Sequence, residues 1–106
     1  QTRACWALSH LACEPLGAAA IREAGGHALI LQLLRASDGY APLTAAGMSC
    51  LFNCAMTDGK AAAKPLLAAG ALRFSLTTCE RARDSGDQDT SAFAAGIVMN
   101  LCLDFE

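Results

Sequence analysis

The sequence predicts an all-α domain, and three observations lead to this prediction. The first is composition, because 54% of the 106 residues are hydrophobic while only 6% are aromatic. Alanine, leucine and cysteine supply most of the hydrophobic excess, and such residues suit close helix packing better than a sheet, which favours β-branched and aromatic residues. The second is an apolar stripe of helical period between residues 43 and 55, and the third is a pair of segments that recur along the chain.

Local signals divide the chain into seven helical pieces. The first spans residues 2–13 and ends where a proline follows, because proline disfavours the helical conformation at the residue before it. Pro15 itself is tolerated in the first turn of a short helix over 15–24. The next helix, over 27–36, follows a Gly-Gly pair, which permits a sharp turn because glycine enters left-handed conformations at little cost.

The fourth helix, over residues 42–56, has the clearest amphipathic pattern. Its apolar residues recur every three or four positions and form a complete stripe, which we expect to face the core. The stripe consists of Leu43, Ala46, Gly47, Cys50, Leu51, Cys54 and Ala55.

Three further helices complete the seven. They are predicted over 60–69, 71–83 and 91–104. Pro65 lies inside the first of these, where it removes a backbone hydrogen bond, and we expect it to break or kink that helix. The polar segment 80–91 is predicted to be a solvated loop, since the spacing of its aspartates fits no calcium-binding EF-hand loop.

Charge and hydropathy argue against two classes of partner. The formal net charge is −2 and the eight basic residues are scattered along the sequence, so no basic stripe predicts nucleic-acid binding. No apolar run reaches the roughly 18–20 residues that a membrane-spanning helix needs, so we expect no interaction with a membrane.

Six cysteines are too few for a disulfide-rich scaffold, which contains about 8–10% cysteine. Cys50, Cys54 and Cys102 lie in apolar helical patterns, where free cysteine behaves as a small hydrophobic residue, so we expect buried, reduced thiols in the cytoplasm or the nucleus. Cys50 and Cys54 are one turn apart and provide half of a metal site, but no second ligand pair has a recognisable spacing. We therefore predict no metal and no cofactor, with redox sensing or zinc binding by the cysteines as an alternative.

Two different segments recur in the same order. The first is centred on a polar residue, which is His10 in LSHLA, Asn53 in LFNCA and Asn100 in VMNLC. The second is IREAGGHALILQLL (21–34), which aligns with LLAAGALRFSLTTC (66–79). The copies are separated by about 43 to 47 residues, a spacing that is typical of solenoids with two or three helices in each repeat.

This order of segments resembles the armadillo repeat, in which a short first helix ends in Ala-Gly, a second helix reads like LxxLL and a third carries ALxNLA. The resemblance extends over roughly residues 3–104, and HEAT repeats, with two helices each, are the nearest alternative. It implies a right-handed α-solenoid of three-helix repeats within a single domain, 1–106. Residues 1–14 then form the third helix of an incomplete repeat, repeats follow over 15–57 and 58–105, and we expect the chain to be part of a longer array.

In armadillo arrays the third helices stack side by side and line a concave groove. In the nuclear-import adaptors of the family, a W-x-x-x-N pair faces this groove: the tryptophans form slots for ligand side chains, and the asparagines bind the backbone of an extended peptide. A primary amide suits that role because it both donates and accepts hydrogen bonds. By this resemblance, the groove residues of this chain are Trp6, His10, Ser49, Phe52, Asn53, Met56 and Asn100.

The aromatic positions of this pattern are only partly kept, since Ser49 and Gly96 stand where the resemblance places tryptophan. Together with the lack of evident acidic groove residues, this argues against basic nuclear-localisation peptides as partners. Two structural interpretations also stay open. In one, the polar residues at 10, 53 and 100 cap or cross-brace neighbouring turns, because buried polar groups must be paired. In the other, Trp6 and Phe52 pack between repeats.

No catalytic arrangement is evident in the sequence. His10 and His27 lie in different predicted helices without an evident nucleophile or acid partner, and the glycine-rich turns match no phosphate-binding loop. We therefore predict a non-enzymatic protein–protein interaction scaffold that binds an extended partner segment, from a protein or a peptide, along the concave groove. The alternative is a structural fragment of a larger α-solenoid, without a groove function, that packs end to end or self-associates through uncapped terminal helices.

Overall fold

Seven helices account for most of the chain in the computed structural model, which describes residues 1–37 and 39–104. They are α1 (Thr2–Leu11), α2 (Pro15–Glu23), α3 (Gly26–Ala36), α4 (Ala41–Asp58), α5 (Lys60–Ala68), α6 (Ala71–Ser85) and α7 (Gln88–Asp104). None of the described residues lies in a strand, so the all-α prediction is confirmed. Each predicted helix has its counterpart, with ends that differ by a few residues at most. Among the described helices, none combines the length and the apolar character that crossing a membrane requires.

Helix α4 lies at the centre of the fold. It packs most extensively against α1 and α7, and it also contacts α2, α3 and α5. All seven residues of the predicted stripe are buried, and so are Met48 and Ser49, which lie outside it. The largest fully buried aliphatic side chains of the protein are Leu31, Met48, Leu51, Leu66 and Ile97. Because neighbours cover α4 on more than one face, its burial extends beyond the stripe that its sequence pattern predicts.

Small residues let neighbouring helices approach α4 closely. Gly96 of α7 lies so near the Phe52 ring that a Cβ at residue 96 would overlap the ring. The same ring contacts Phe93 of α7, with 5.9 Å between the ring centroids. Towards α3, a Cβ at Gly47 would lie 2.7 Å from Leu34 Cδ2. A larger residue at either position would therefore force the facing side chain or the helix itself to shift.

The predicted loop over 80–91 is wrong, because α6 continues to Ser85 and α7 begins at Gln88. Gly86 ends α6 in the left-handed conformation, with a φ of 82°. The Asp87 N–H donates to the carbonyl of Ala82 at 2.8 Å, and the Asp87 carboxylate accepts a hydrogen bond from the Thr90 N–H at 3.1 Å. Glycine at a helix end and aspartate at the next helix start are efficient caps, so two residues suffice to join two polar helix ends.

Pro65 does not break α5, so the first of the two effects predicted from sequence, a break or a kink, is wrong. The helix runs from Lys60 to Ala68 with Pro65 inside it, and the Pro65 carbonyl still accepts a hydrogen bond from the Ala69 N–H at 3.0 Å. One face of α5 is buried in the core through Ala62, Ala63 and Leu66. Tertiary packing of this face holds the short helix together, because most helical stability in proteins comes from packing and not from local propensity.

The six cysteines are free thiols in different environments. Cys5, Cys50 and Cys54 are buried, Cys79 is half-buried, and Cys13 and Cys102 are exposed. The expected burial of Cys102 is wrong. Its neighbour Leu101 is buried in the core, and successive residues of a helix point in directions about 100° apart, so Cys102 faces away from that contact.

Labelling of the native protein with a thiol reagent should separate these environments. We expect Cys13 and Cys102 to react promptly, Cys79 more slowly, and the three buried cysteines only as the protein unfolds, because a thiol must reach solvent to react. Mass spectrometry of labelled peptides would identify each site, with a Cys13→Ser/Cys102→Ser variant as the control that lacks the fast phase. Prompt labelling of a buried cysteine would contradict the packing of α4.

Replacement of Gly96 tests the close contact between α7 and α4. We expect Gly96→Ala to lower the free energy of unfolding by about 1–2 kcal/mol, because overpacking costs roughly 1–3 kcal/mol and the better helix propensity of alanine offsets about 0.5–1 kcal/mol of it. Urea denaturation would measure the change. Phe52→Leu removes the ring atoms that the new methyl group would meet, so the penalty of Gly96→Ala should be smaller in a Phe52→Leu background. Equal penalties in both backgrounds would show that the two residues do not interact.

Candidate functional site

The three helices that the repeat pattern aligns lie side by side. Helix α4 packs against α1 and against α7, whereas α1 and α7 make little contact with each other. Within each of them, residues three and four positions apart share a face. The aligned positions therefore form neighbouring rows on three adjacent helices, which is the arrangement that a groove along the third helices requires.

Most of the predicted groove residues are accessible, although their exposure differs. Trp6, His10 and Met56 are exposed, and the exposed fractions of the tryptophan and the methionine are 39% and 59%. Phe52, Asn53 and Asn100 are half-buried. The seventh residue, Ser49, is buried, with 5% of its surface exposed. A bound partner could contact six of these side chains directly, and Ser49 contributes only from beneath the surface.

A small polar network joins α1 to α4 at Ser9. The hydroxyl groups of Ser9 and Ser49 are hydrogen-bonded at 2.7 Å. Asn53 Nδ2 donates to the Ser9 carbonyl at 3.1 Å and to Ser9 Oγ at 2.9 Å. The Asn53 amide nitrogen therefore has a structural role, and it braces α4 against α1 and not a neighbouring turn, as the sequence had suggested for this alternative. The Asn53 Oδ1 atom is left to accept a hydrogen bond from a partner.

Asn100 makes a weaker contact of the same kind. Its Nδ2 atom donates to Met56 Sδ at 3.1 Å, and a thioether sulfur is a weak acceptor. Asn53 thus reaches from α4 to α1, and Asn100 reaches from α7 to α4. In both cases the acceptor lies 44 positions earlier in the chain. Because only one weak bond engages the Asn100 amide, it retains both a donor and an acceptor for a partner.

His10 and Trp6 occupy the outer edge of this arrangement. They lie one turn apart on α1, and both side chains are exposed. Within the described part of the chain, no hydrogen bond engages the His10 imidazole. The pair therefore presents an unengaged polar group next to a large aromatic side chain.

Two apolar residues were missing from the groove residues that the sequence identified. Met99 and Leu103 of α7 have exposed fractions of 62% and 59%. They lie one turn apart and share the helix face of Asn100, and the repeat alignment already places them opposite Phe52 and Met56 of the middle copy. We refer to the exposed and half-buried residues on this side of the fold as the third-helix surface. Its members are Trp6, His10, Phe52, Asn53, Met56, Met99, Asn100 and Leu103.

The redox and zinc alternatives concern a cluster in the core, away from this surface. Cys50, Cys54 and His27 are buried, and neither ring nitrogen of His27 makes a hydrogen bond of acceptable geometry within the described residues. The neighbouring Cys50 thiol lowers the pKa of Cys54, whereas Cys54 raises the pKa of Cys50, and the nearby His27 lowers the pKa of Cys54 further. The described residues contain no group of three metal-ligating side chains placed to hold an ion. Because the thiols are buried, they lack the exposure that redox sensors need.

The two asparagines should differ in their effect on stability. We expect Asn53→Ala to lower the free energy of unfolding by about 1–2 kcal/mol, because it removes two hydrogen bonds that join α1 to α4. Asn100→Ala should cost less than about 0.5 kcal/mol, since its single bond is to sulfur.

Urea denaturation of both variants would measure this difference. Asn53→Asp is the matched control, because the carboxylate keeps the shape of the side chain but donates no hydrogen bond. It should destabilise the protein at least as much as Asn53→Ala. Equal effects at residues 53 and 100 would contradict the bracing role of Asn53.

Comparison of the chain with protein-family models, with curated proteins and with solved structures gives no match. No relative therefore supplies a function, and the armadillo resemblance remains an interpretation of the sequence pattern. The function has to be inferred from the geometry of the third-helix surface, because a fold alone does not specify one.

Proposed function

We propose that the protein is a non-enzymatic interaction scaffold of armadillo-like repeats, and that its third-helix surface binds an extended segment of a partner protein. The observation that carries the proposal is a set of exposed apolar side chains on adjacent helices, next to asparagine amides at equivalent positions. Trp6, Met56, Met99 and Leu103 supply the apolar area, and Asn53 and Asn100 supply the amides.

The apolar side chains support a binding role because their exposure costs free energy unless a partner covers them. Contiguous exposed apolar residues are typical of interaction sites. Tryptophan frequently contributes a large share of binding energy, and methionine adapts its shape to different partners. Met56 belongs to α4 and Met99 to α7, so a segment that covers both must cross from one helix to the next.

The amides support an extended conformation of the bound segment. Asn53 Oδ1 can accept a hydrogen bond from a backbone N–H, while Asn100 has both a donor and an acceptor available. Groups that bind the backbone hold an extended chain irrespective of its sequence, and pockets for alternate side chains then provide selectivity. This division of roles matches the mixture of amides and apolar residues on the third-helix surface.

The character of the surface also indicates the kind of segment. None of its eight members carries a carboxylate or a cationic group of Lys or Arg type. We therefore expect a partner segment with apolar side chains and little charge, in place of the basic peptides that nuclear-import adaptors bind. Because all six cysteines are free thiols, we propose that the scaffold acts in a reducing compartment, the cytoplasm or the nucleus.

Self-association is the second candidate, and two exposed leucines outside the third-helix surface favour it. Leu11 of α1 and Leu16 of α2 have exposed fractions of 52% and 87%. A second copy that covered them would bury apolar area that is otherwise in contact with water. Sedimentation at increasing protein concentration would test this candidate, with Leu16→Ser expected to abolish any dimer.

Binding of the purified chain to an array of extended peptides tests the main proposal. We expect Asn100→Ala to weaken binding about five- to thirtyfold across many peptide sequences, because the lost hydrogen bonds to the backbone contribute about 1–2 kcal/mol. Trp6→Ala should weaken binding only of peptides with a side chain that contacts it. Leu29→Ala is the matched control, because Leu29 is an exposed apolar residue of α3, outside the third-helix surface.

Circular dichroism of each variant would confirm that it folds. If peptides bind the wild type and the Asn100→Ala and Trp6→Ala variants equally, or if no peptide binds, the proposed groove function is wrong. If Leu29→Ala weakens binding as much as Asn100→Ala, the binding site lies elsewhere on the protein.

A further inference from the structure

A cavity of about 750 Å³ lies outside the third-helix surface, between α3, the start of α4, α6 and the start of α7. Its volume falls within the range of about 300–1,000 Å³ that is typical of small-molecule sites. None of the eight members of the third-helix surface lines it. A ligand in this cavity would therefore contact none of the residues of the third-helix surface.

Three arginines line this cavity. Arg35 comes from α3, and Arg73 and Arg81 come from α6. Asp87 is the one carboxylate among the described lining residues, and it accepts a hydrogen bond from the Thr90 N–H. Although the basic residues are scattered in the sequence of a chain with net charge −2, the fold concentrates three of them here. Within the described part of the chain, no carboxylate lies within ion-pairing distance of these three arginines.

The Arg35 side chain is held in position. Its Nη2 atom donates to the Ala69 carbonyl at 3.0 Å, and its guanidinium carbon lies 5.7 Å from the centroid of the Phe74 ring. Gly70 makes room for this arrangement, because a Cβ at residue 70 would lie 2.6 Å from Arg35 Nη2. A guanidinium that is stacked and anchored in advance loses less entropy when it binds an anion.

Arg73 and Arg81 lie on one face of α6, two turns apart. Arg73 is in the first turn, which contains no acidic residue. A cation in that position opposes the helix dipole, whereas an anion would be stabilised there. The placement of Arg73 is therefore unfavourable with respect to the helix dipole, and an anion next to it would offset this repulsion.

Hydroxyl groups and apolar atoms complete the lining. Thr90 is 2% exposed, and its Oγ1 atom has no hydrogen-bond partner among the described residues. Thr77 and Thr78 of α6 also line the cavity, while Leu34 and Phe74 supply apolar walls. A ligand that combines an anionic group with an apolar part would match both kinds of lining.

We propose that this cavity binds a small organic phosphate of nucleotide size. Its phosphate groups contact Arg35, Arg73 and Arg81, and its apolar part lies against Leu34 and Phe74. Guanidinium groups match phosphate oxygens with paired hydrogen bonds, and these charge-assisted bonds are stronger than neutral ones. Three of them around one cavity suit a ligand with more than one phosphate group.

Isothermal titration calorimetry with ADP, pyrophosphate and adenosine tests this proposal. We expect ADP to bind, pyrophosphate to bind more weakly because it lacks the apolar part, and adenosine not to bind because it lacks the phosphates. Arg73→Gln and Arg81→Gln should each weaken ADP binding about tenfold or more, since a hydrogen bond to a charged group is lost. Arg83→Gln is the matched control, because Arg83 is an exposed residue of the same helix that does not line the cavity.

A second readout separates binding from a general effect of charge. ADP should raise the Tm of the wild type and of Arg83→Gln more than that of the Arg73→Gln/Arg81→Gln double variant. No binding of ADP at millimolar concentration, an equal loss in Arg83→Gln, or adenosine binding as tightly as ADP would each overturn the proposal. If pyrophosphate bound as tightly as ADP, the apolar walls would have no role in binding. If an acidic peptide bound more tightly than ADP, the cavity would be a site for a protein partner, and the proposal would be wrong.

Discussion

The burial of α4 between α1 and α7 is the constraint on which the rest of the structure depends. A helix with neighbours on several faces has to present small residues where those neighbours approach closely. Gly47 meets the Leu34 side chain, and Gly96 of α7 leaves space for the Phe52 ring of α4. Alanines and buried cysteines fill much of the remaining stripe of α4. This need for close approach accounts for a composition rich in small residues and poor in aromatic ones.

The same packing decides how the third-helix surface is built. Helices α1 and α7, which bury α4, also have outer faces that lie next to the outer face of α4. The core and the candidate binding surface therefore lie on opposite sides of these three helices. Asn53 takes part in both, because its amide nitrogen braces α4 against Ser9 of α1 while its oxygen stays available. Asn100 is only weakly engaged, by a sulfur atom. Positions that are equivalent in the repeat pattern thus differ in how firmly the protein itself engages them.

The arginine-lined cavity has the opposite character from the third-helix surface. The cavity exists because α6 continues through the polar segment as far as Ser85. The two-residue junction at Gly86 and Asp87 then turns the chain, so that the start of α7 forms one wall of the cavity. A neutral, partly apolar surface and a cationic cavity therefore occupy different sides of one small fold. No member of the third-helix surface lines the cavity, so the two proposed sites share no residue.

The sequence by itself determined the helices and the equivalence of Asn53 and Asn100, because the period of apolar residues and the spacing of the repeats are properties of short segments. It misjudged Pro65 and the segment 80–91, since packing of α5 and capping at Asp87 prevailed over local polarity and propensity. Only the tertiary structure decided that Ser49 is buried, that one asparagine is braced more firmly than the other, and that three distant arginines line one cavity. Each of these depends on which helix faces meet, and residues far apart in the chain carry no local signal of that contact.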